Sequence, residues 1–167
     1  MPVVVPLDTD IHNREGFHCG VEPLDRYIRE RAANDTKQCV AVCYVLTADG
    51  DPSTILGFYT LSSLSVELAA LPATASKRLP KYPQVPATLI GRLAVSSDCR
   101  GQRIGKFLLL DALRRVFEAA DSIGSAFVVV DAKDEKAVGF YLQYGFQRLT
   151  AGSTRLFVPM AVVAQLF

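Results

Sequence analysis

The sequence predicts an α/β domain on a mixed central β-sheet with helices on both faces. Three observations carry this prediction. Runs of β-branched and aromatic residues alternate with amphipathic stretches along the chain, the order that layers helices onto a sheet. The segment "SAFVVVD" is almost continuously apolar, as expected of a strand covered on both faces. The third is "RLAVSS", a long helical stretch and "VVVD" in succession, a βαβ unit that crosses over right-handedly.

Each element follows from local pattern. In "PLDRYIRERAAND", Leu24, Tyr27, Ile28 and Ala32 share one stripe while Arg26, Arg29 and Glu30 lie on the other faces, so the segment reads as an amphipathic helix with Pro23 in its first turn. "CVAVCYVLT" and "TILGFYTLSSLSVEL" read as a hairpin joined by the turn "ADGDPS". Cys39 and Cys43 lie four apart, which puts both on one strand face as small buried residues. Residues 69–86 hold four prolines and read as a long loop. Then come "ATLIGRLAVSS" as a strand, "IGKFLLLDALRRVFEAA" as a long helix, "SAFVVVD" as a strand, "DEKAVGFYLQYG" as a helix, "STRLFVPM" as a strand and "AVVAQLF" as a short tail. No internal repeat is visible.

Size and charge narrow the function. A chain of 167 residues, half of them apolar, predicts a single domain over 1–167 with one core. A net charge of +1 gives no global case for nucleic acid or membrane, so an anionic partner must be held by local clusters. "MPVVVPLDTD" has no basic leader and is broken by Pro6, which predicts neither a signal peptide nor a span, and a cytoplasmic location. Cys19, Cys39, Cys43 and Cys99 form no CxxC pair and only His12 and His18 accompany them, so no metal is expected.

The chemistry concentrates in "DCRGQRIGKFLLLDALRR". Arg100, Arg103 and Lys106 stand where a helix begins, the end at which the macrodipole disfavours cations. Gly101 and Gly105 let the backbone bend so that several N–H groups converge, which makes an anion cradle. A pyrophosphate beside it turns the three cations from unfavourable to favourable. The segment lacks the spacing of a P-loop, with Phe107 where a hydroxyl residue belongs, and lacks the three glycines of a dinucleotide fingerprint. An ordinary loop with solvated arginines is the competing reading of the turn.

"RGQRIG" resembles the (Q/R)-x-x-G-x-(G/A) acyl-CoA loop of the GNAT N-acetyltransferases. With "FHCGVEPLDRYI", "GFYTLS", "LPKYPQVPATLIGRLAV", "VVVDAKDEKAVGFYLQYGF" and "LFVPM", the resemblance runs from about Phe17 to Met160. It narrows to the TacT-like toxin acetyltransferases of type II toxin–antitoxin pairs. The resemblance implies a GNAT fold with a splayed parallel strand pair, and acetyl-CoA as cosubstrate. It implies that backbone around Leu93, Ala94 and Val95 binds the pantetheine arm, and that N–H groups of Arg100, Gly101, Gln102, Arg103, Ile104, Gly105 and Lys106 hold the pyrophosphate. The family's first loop glycine is Arg103 here, workable for a side-chain-bearing residue if its backbone is ordinarily helical.

The resemblance also implies the reaction. A substrate amine attacks the thioester, an amide near Val95 supports the developing oxyanion, and Tyr141 protonates the leaving thiolate. Tyr144 is the rival within the same segment, and helix packing is the structural alternative for Tyr141. Glu67 and Asp134 are the carboxylates considered as general base, and neither is assigned. The implied acceptor is the amino group of aminoacyl-tRNA, with a ribbon-helix-helix antitoxin and a second copy of the chain as partners. Lys77, Arg78, Lys81 and Arg92 are the candidate tRNA contacts, with Arg29, Arg31 and Lys37 behind them. Two further readings stand beside this one. One is an acetyltransferase for a protein N-terminus, a lysine or a small amine; the other is a CoA-binding module without catalysis.

Overall fold

The computed structural model describes residues 2–167. The elements run, in chain order, β1 (Val3–Pro6), α1 (Glu22–Glu30), α2 (Ala32–Lys37), β2 (Val42–Ala48), β3 (Asp51–Glu67), α3 (Ala73–Ser76), β4 (Gln84–Val95), α4 (Ile104–Ala119), β5 (Phe127–Asp131), α5 (Glu135–Leu142), β6 (Gln147–Arg148), β7 (Arg155–Pro159) and α6 (Met160–Val163). The seven strands form one sheet in the order β1-β2-β3-β4-β5-β7-β6. β4 and β5 are parallel, whereas β1–β2, β2–β3, β5–β7 and β6–β7 are antiparallel. The expected mixed sheet is therefore present, with the βαβ unit β4–α4–β5 at its centre.

Several elements differ from the sequence reading. The first helix is two, because Arg31 leaves helical geometry at φ −118° between α1 and α2. The hairpin turn is only Asp49 and Gly50, with Gly50 at φ 72°, the positive φ that a tight turn asks of glycine. Cys39 is not on a strand: it is exposed, at φ 60°, in the turn before β2, and only Cys43 is buried. Burial raises the Cys43 thiol to about 12, so it stays a neutral packing group. The stretch 69–86 is a loop that contains α3, β4 starts three residues earlier than expected, and the tail is helical. β1 and β6 add edge strands that the sequence reading lacked.

The chain divides into two compact units. One comprises residues 2–62 and 91–112. Its core joins Phe17, Tyr27, Ile28, Val45, Phe58 and Ala94, with the Phe17 ring edge-on to Phe58 at 5.4 Å. The Tyr59 hydroxyl donates to Asp111 Oδ2 at 2.6 Å, which fixes one turn of α4 against β3. The other unit comprises residues 63–90 and 113–167. There Val66, Leu71, Val85, Phe127, Val129 and Phe157 form the core. The Asp131–Arg155 ion pair, at 2.7 and 2.8 Å, closes the end of the β5–β7 ladder, so Asp131 is committed to the sheet.

Candidate active site

The end of β4 carries the first part of the site. β4 pairs with β5 from Ala87↔Phe127 to Ile90↔Val130, and the register stops there although β4 continues to Val95. Residues 91–95, with Leu93, Ala94 and Val95 among them, therefore run on past their parallel neighbour, as the expected splay requires. On the β3 side the approach is close. A Cβ on Gly57 would stand 2.8 Å from the Ala94 carbonyl oxygen and 2.7 Å from Leu108 Cδ1, so glycine is needed there for β3, β4 and α4 to meet.

After β4 the chain makes a single 3-10 turn over Ser97–Cys99. The Ser96 hydroxyl accepts from the Asp98 N–H at 3.3 Å, and the Ser96 N–H donates to the Leu56 carbonyl at 2.8 Å. The segment 17–20 then clamps the turn from the other side. The Ser97 N–H donates to the His18 carbonyl at 2.8 Å, and Arg100 Nη2 donates to the Cys19 carbonyl at 3.3 Å. Buried Asp25 in turn accepts from the Cys19 N–H at 2.8 Å. Gly20, at φ 88°, leaves room for this arginine, since a Cβ there would stand 2.9 Å from Nη2. Arg100 is thus an anchor of the loop as well as one of its cations. The roles of Gly20 and Asp25 went unassigned in the sequence; the one signal was a glycine two residues ahead of α1 with an acid in the first helical turn.

The loop itself presents Gly101, Gln102 and Arg103 to solvent. Gly101 sits at φ 81° and Arg103 at φ 58°. The expectation of an ordinarily helical backbone at Arg103 is therefore overturned. Arg103 occupies the left-handed region where the family has glycine, at a cost of about 1–2 kcal/mol for a residue bearing a Cβ. The Gln102 N–H is engaged by the Cys99 carbonyl at 3.3 Å, and the helical ladder begins with the Phe107 N–H on the Arg103 carbonyl at 3.1 Å. Ile104, Gly105 and Lys106 open α4, so their N–H groups have no acceptor within the helix. These three amides, at the positive end of a 16-residue helix and with exposed Arg103 and Lys106 beside them, suit a multiply charged phosphate.

Tyr141 lies in α5 of the other unit. Asp134 caps this helix by accepting the Ala137 N–H at 2.8 Å, which gives that carboxylate a structural task. Tyr141 is 8% exposed and packs between Phe140 and Phe146 at centroid distances of 5.2 and 5.5 Å. Its hydroxyl makes no hydrogen bond to the described residues. Burial raises its pKa to about 12, so it is a neutral O–H donor throughout the physiological range. Tyr144 is half-buried, against Phe140 at 5.4 Å.

The basic candidates divide by surroundings. Arg92 is half-buried with its guanidinium 3.6 Å from the Tyr27 ring centroid, and the Tyr27 hydroxyl donates to Asp35 at 2.9 Å. Burial and Asp35 together hold the Tyr27 hydroxyl well above its usual range. Arg92 thus packs β4 against α1. Arg29 is paired with Glu22 at 3.7 Å, whereas Arg31 and Lys37 are exposed. Lys77, Arg78 and Lys81 are exposed in the loop around α3, and Lys77 and Lys81 line a groove of about 680 Å³. Exposed Glu67 lines the same groove.

Comparison with known proteins gives one answer from three directions. The family profile "Acetyltransferase (GNAT) family" matches residues 9–146. The chain is 34% identical to "Probable toxin TacT" of Sinorhizobium fredii over 98% of its length and 94% of that protein. It is 36% identical to the "tRNA-acetylating toxin" of Mycobacterium tuberculosis over 83% of its length and 81% of that protein. Among solved structures, a tyrosine-to-phenylalanine mutant of KacT superposes with a TM-score of 0.92 at 32% identity, covering 99% of each chain. AtaT complexed with acetyl-methionyl-tRNAfMet superposes with a TM-score of 0.91 at 28% identity, covering 100% of this chain and 99% of that one. AtaT has also been solved with acetyl-CoA and with the C-terminus of the antitoxin AtaR.

Proposed function

The chain belongs to the GNAT acetyltransferase family, and on that premise we propose that it transfers the acetyl group of acetyl-CoA to the α-amino group of aminoacyl-tRNA, blocking translation. The observation that carries this reading is the near full-length likeness to AtaT, a protein solved with acetyl-methionyl-tRNAfMet. It accords with the curated tRNA-acetylating relative.

The residues divide the work as follows. The amides that open α4, with Arg103 and Lys106, hold the pyrophosphate. The backbone of Leu93, Ala94 and Val95 takes the pantetheine arm, and the Val95 amide supports charge developing on the carbonyl oxygen. The neutral amine attacks the carbonyl carbon and the carbon–sulfur bond breaks. Tyr141 gives its proton to the departing sulfur, and the amine's surplus proton passes to solvent. No side-chain base is needed, because an α-amine with a pKa of about 7.7–8.0 is partly neutral at cellular pH. Lys77, Arg78 and Lys81 are RNA contacts, while Arg92 contributes through its packing on Tyr27.

We take residues 1–167 as one N-acetyltransferase domain acting in the cytoplasm as a homodimer. Its activity is restrained by a ribbon-helix-helix antitoxin, by analogy with AtaR on AtaT. No helix among the described residues is long and apolar enough to cross a membrane. The test is incubation with labelled acetyl-CoA and total charged tRNA: label enters the tRNA fraction. Label confined to protein or to a small polyamine refutes the reading. Tyr141→Phe lowers kcat by about 10²–10⁴-fold without lowering the melting temperature, and relieves growth arrest on expression in bacteria.

A further inference from the structure

The proline-rich segment before β4 is a shaped surface, not slack chain. The Leu68 N–H donates to the Pro83 carbonyl at 3.0 Å, which closes its two ends. Leu71 is buried beneath it, and Leu79 packs partly into the same core. The outward side is different in kind. Tyr82 is 67% exposed, and it shares the groove of about 680 Å³ with Lys77, Lys81, Ser76, Gln84 and Glu67. Arg78 is exposed between the two lysines in sequence. A single exposed aromatic is ordinary. One that shares a groove with two cations and two neutral hydrogen-bonding side chains has a recognisable chemistry.

We propose that this groove binds an unpaired nucleotide of the RNA substrate, with a base stacked on Tyr82 and the neighbouring phosphates on Lys77 and Lys81. An aromatic face takes any base, and the lysines supply point charges for phosphate. The lining carries two cations and one acid, the sign that complements a nucleic-acid backbone. Ser76 and Gln84 offer hydrogen-bond partners to base or sugar. The proposal rests on the aminoacyl-tRNA reading above and adds to it a stacking residue outside the acetyl-transfer chemistry.

The test uses the full chain with Tyr82→Ala, Tyr82→Phe and the Lys77→Ala/Lys81→Ala pair. It measures KM and kcat for charged tRNA, KM for acetyl-CoA, and turnover of an amino-acid methyl ester that carries no RNA. Tyr82→Ala raises KM for charged tRNA by at least about tenfold. Acetyl-CoA KM, methyl-ester turnover and melting temperature stay as in the unsubstituted protein, and Tyr82→Phe restores the tRNA KM because the ring is kept. The lysine pair lowers the slope of log KM against log salt between about 50 and about 200 mM by roughly one unit. If the unsubstituted protein acetylates no charged tRNA, the proposed function itself fails. If it does so and Tyr82→Ala leaves the tRNA KM within about twofold, the groove inference alone is overturned; an effect confined to binding of an antitoxin is the same negative result. A KM raised equally by Phe and Ala excludes stacking.

Discussion

Replacing Arg103 with glycine separates what the backbone of the loop does from what its side chain does. Arg103 sits at φ 58°, and relief of a left-handed Cβ is worth about 1–2 kcal/mol. Glycine returns roughly 0.5–1 kcal/mol of that through its freer unfolded chain. The net gain of about 0.5–1 kcal/mol corresponds to a melting temperature higher by about 1–4 °C for a domain of this size. Removing one exposed cation from beside a phosphate costs about 1 kcal/mol, close to a fivefold weaker Kd. Arg103→Ala is the control, since alanine keeps the left-handed Cβ and loses the same charge. Thermal melts without ligand and titration calorimetry with acetyl-CoA should show glycine melting above alanine while the two share one Kd. A glycine variant that melts no higher than alanine would refute the strain reasoning. A loss far beyond tenfold in both would mean that the guanidinium, not the amides of α4, holds the ligand.

Three further outcomes follow from the same geometry. The pH–rate profile under saturating acetyl-CoA should rise to about pH 8 as the α-amine loses its proton and stay level to about pH 10. Burial keeps Tyr141 protonated to about 12, so a falling limb below about pH 9.5 would exclude it as the proton donor. Gly57→Ala forces a Cβ into the Ala94 carbonyl and Leu108 and should lower the melting temperature by about 3–10 °C, from roughly 1–3 kcal/mol of overpacking. It should also raise the KM for acetyl-CoA, because Ala94 lies in the proposed pantetheine strand. Asp134→Ala removes the cap of α5 and should cost about 0.5–2 kcal/mol in a denaturant titration. Its kcat should stay within about twofold; a hundredfold fall would turn the cap into a base.

The parts of the fold legible in the sequence are those where pattern and packing agree. The "IGKFLLLDALRR" segment reads as a helix because Leu108, Leu109, Ala112 and Leu113 make one stripe, and these are the residues α4 buries. The "FVVVD" strand is buried along all but its last residue, as its apolar run requires. Where a strand was expected at Cys39, alternation had been read one turn too early: the Cys39 N–H bonds back to the Thr36 carbonyl at 3.1 Å and closes α2 instead. β1 is a four-residue edge strand ending in proline, too short for its own pattern to declare it. α3 is hidden because prolines flank a four-residue helix.

The site divides along the same line. The phosphate loop was visible because cations at a helix start contradict the dipole, and Tyr141 because the family's helix ending lies in "FYLQYGF". The left-handed backbone of Arg103, the bond from Arg100 to Cys19 and the seat of Arg92 on Tyr27 were not visible. Each depends on residues distant in sequence: Arg100 and Cys19 are separated by 81 positions. Charge composition marks a cation without saying whether it faces solvent or stitches two segments together.

The early end of the β4–β5 register also bears on how long the protein survives in a cell. Hydrogen bonds in the middle of a sheet are ordinarily the last to exchange with solvent, yet β4 past Ile90 receives none from β5. A ligand lying along residues 91–95 would lend the strand its missing neighbour and slow amide exchange there. By mass action it would add about 2.7 kcal/mol at a hundredfold excess over Kd. Metabolic state would then set the lifetime of the folded chain as well as its rate: when acetyl-CoA runs low, proteases would find their opening at the centre of the sheet.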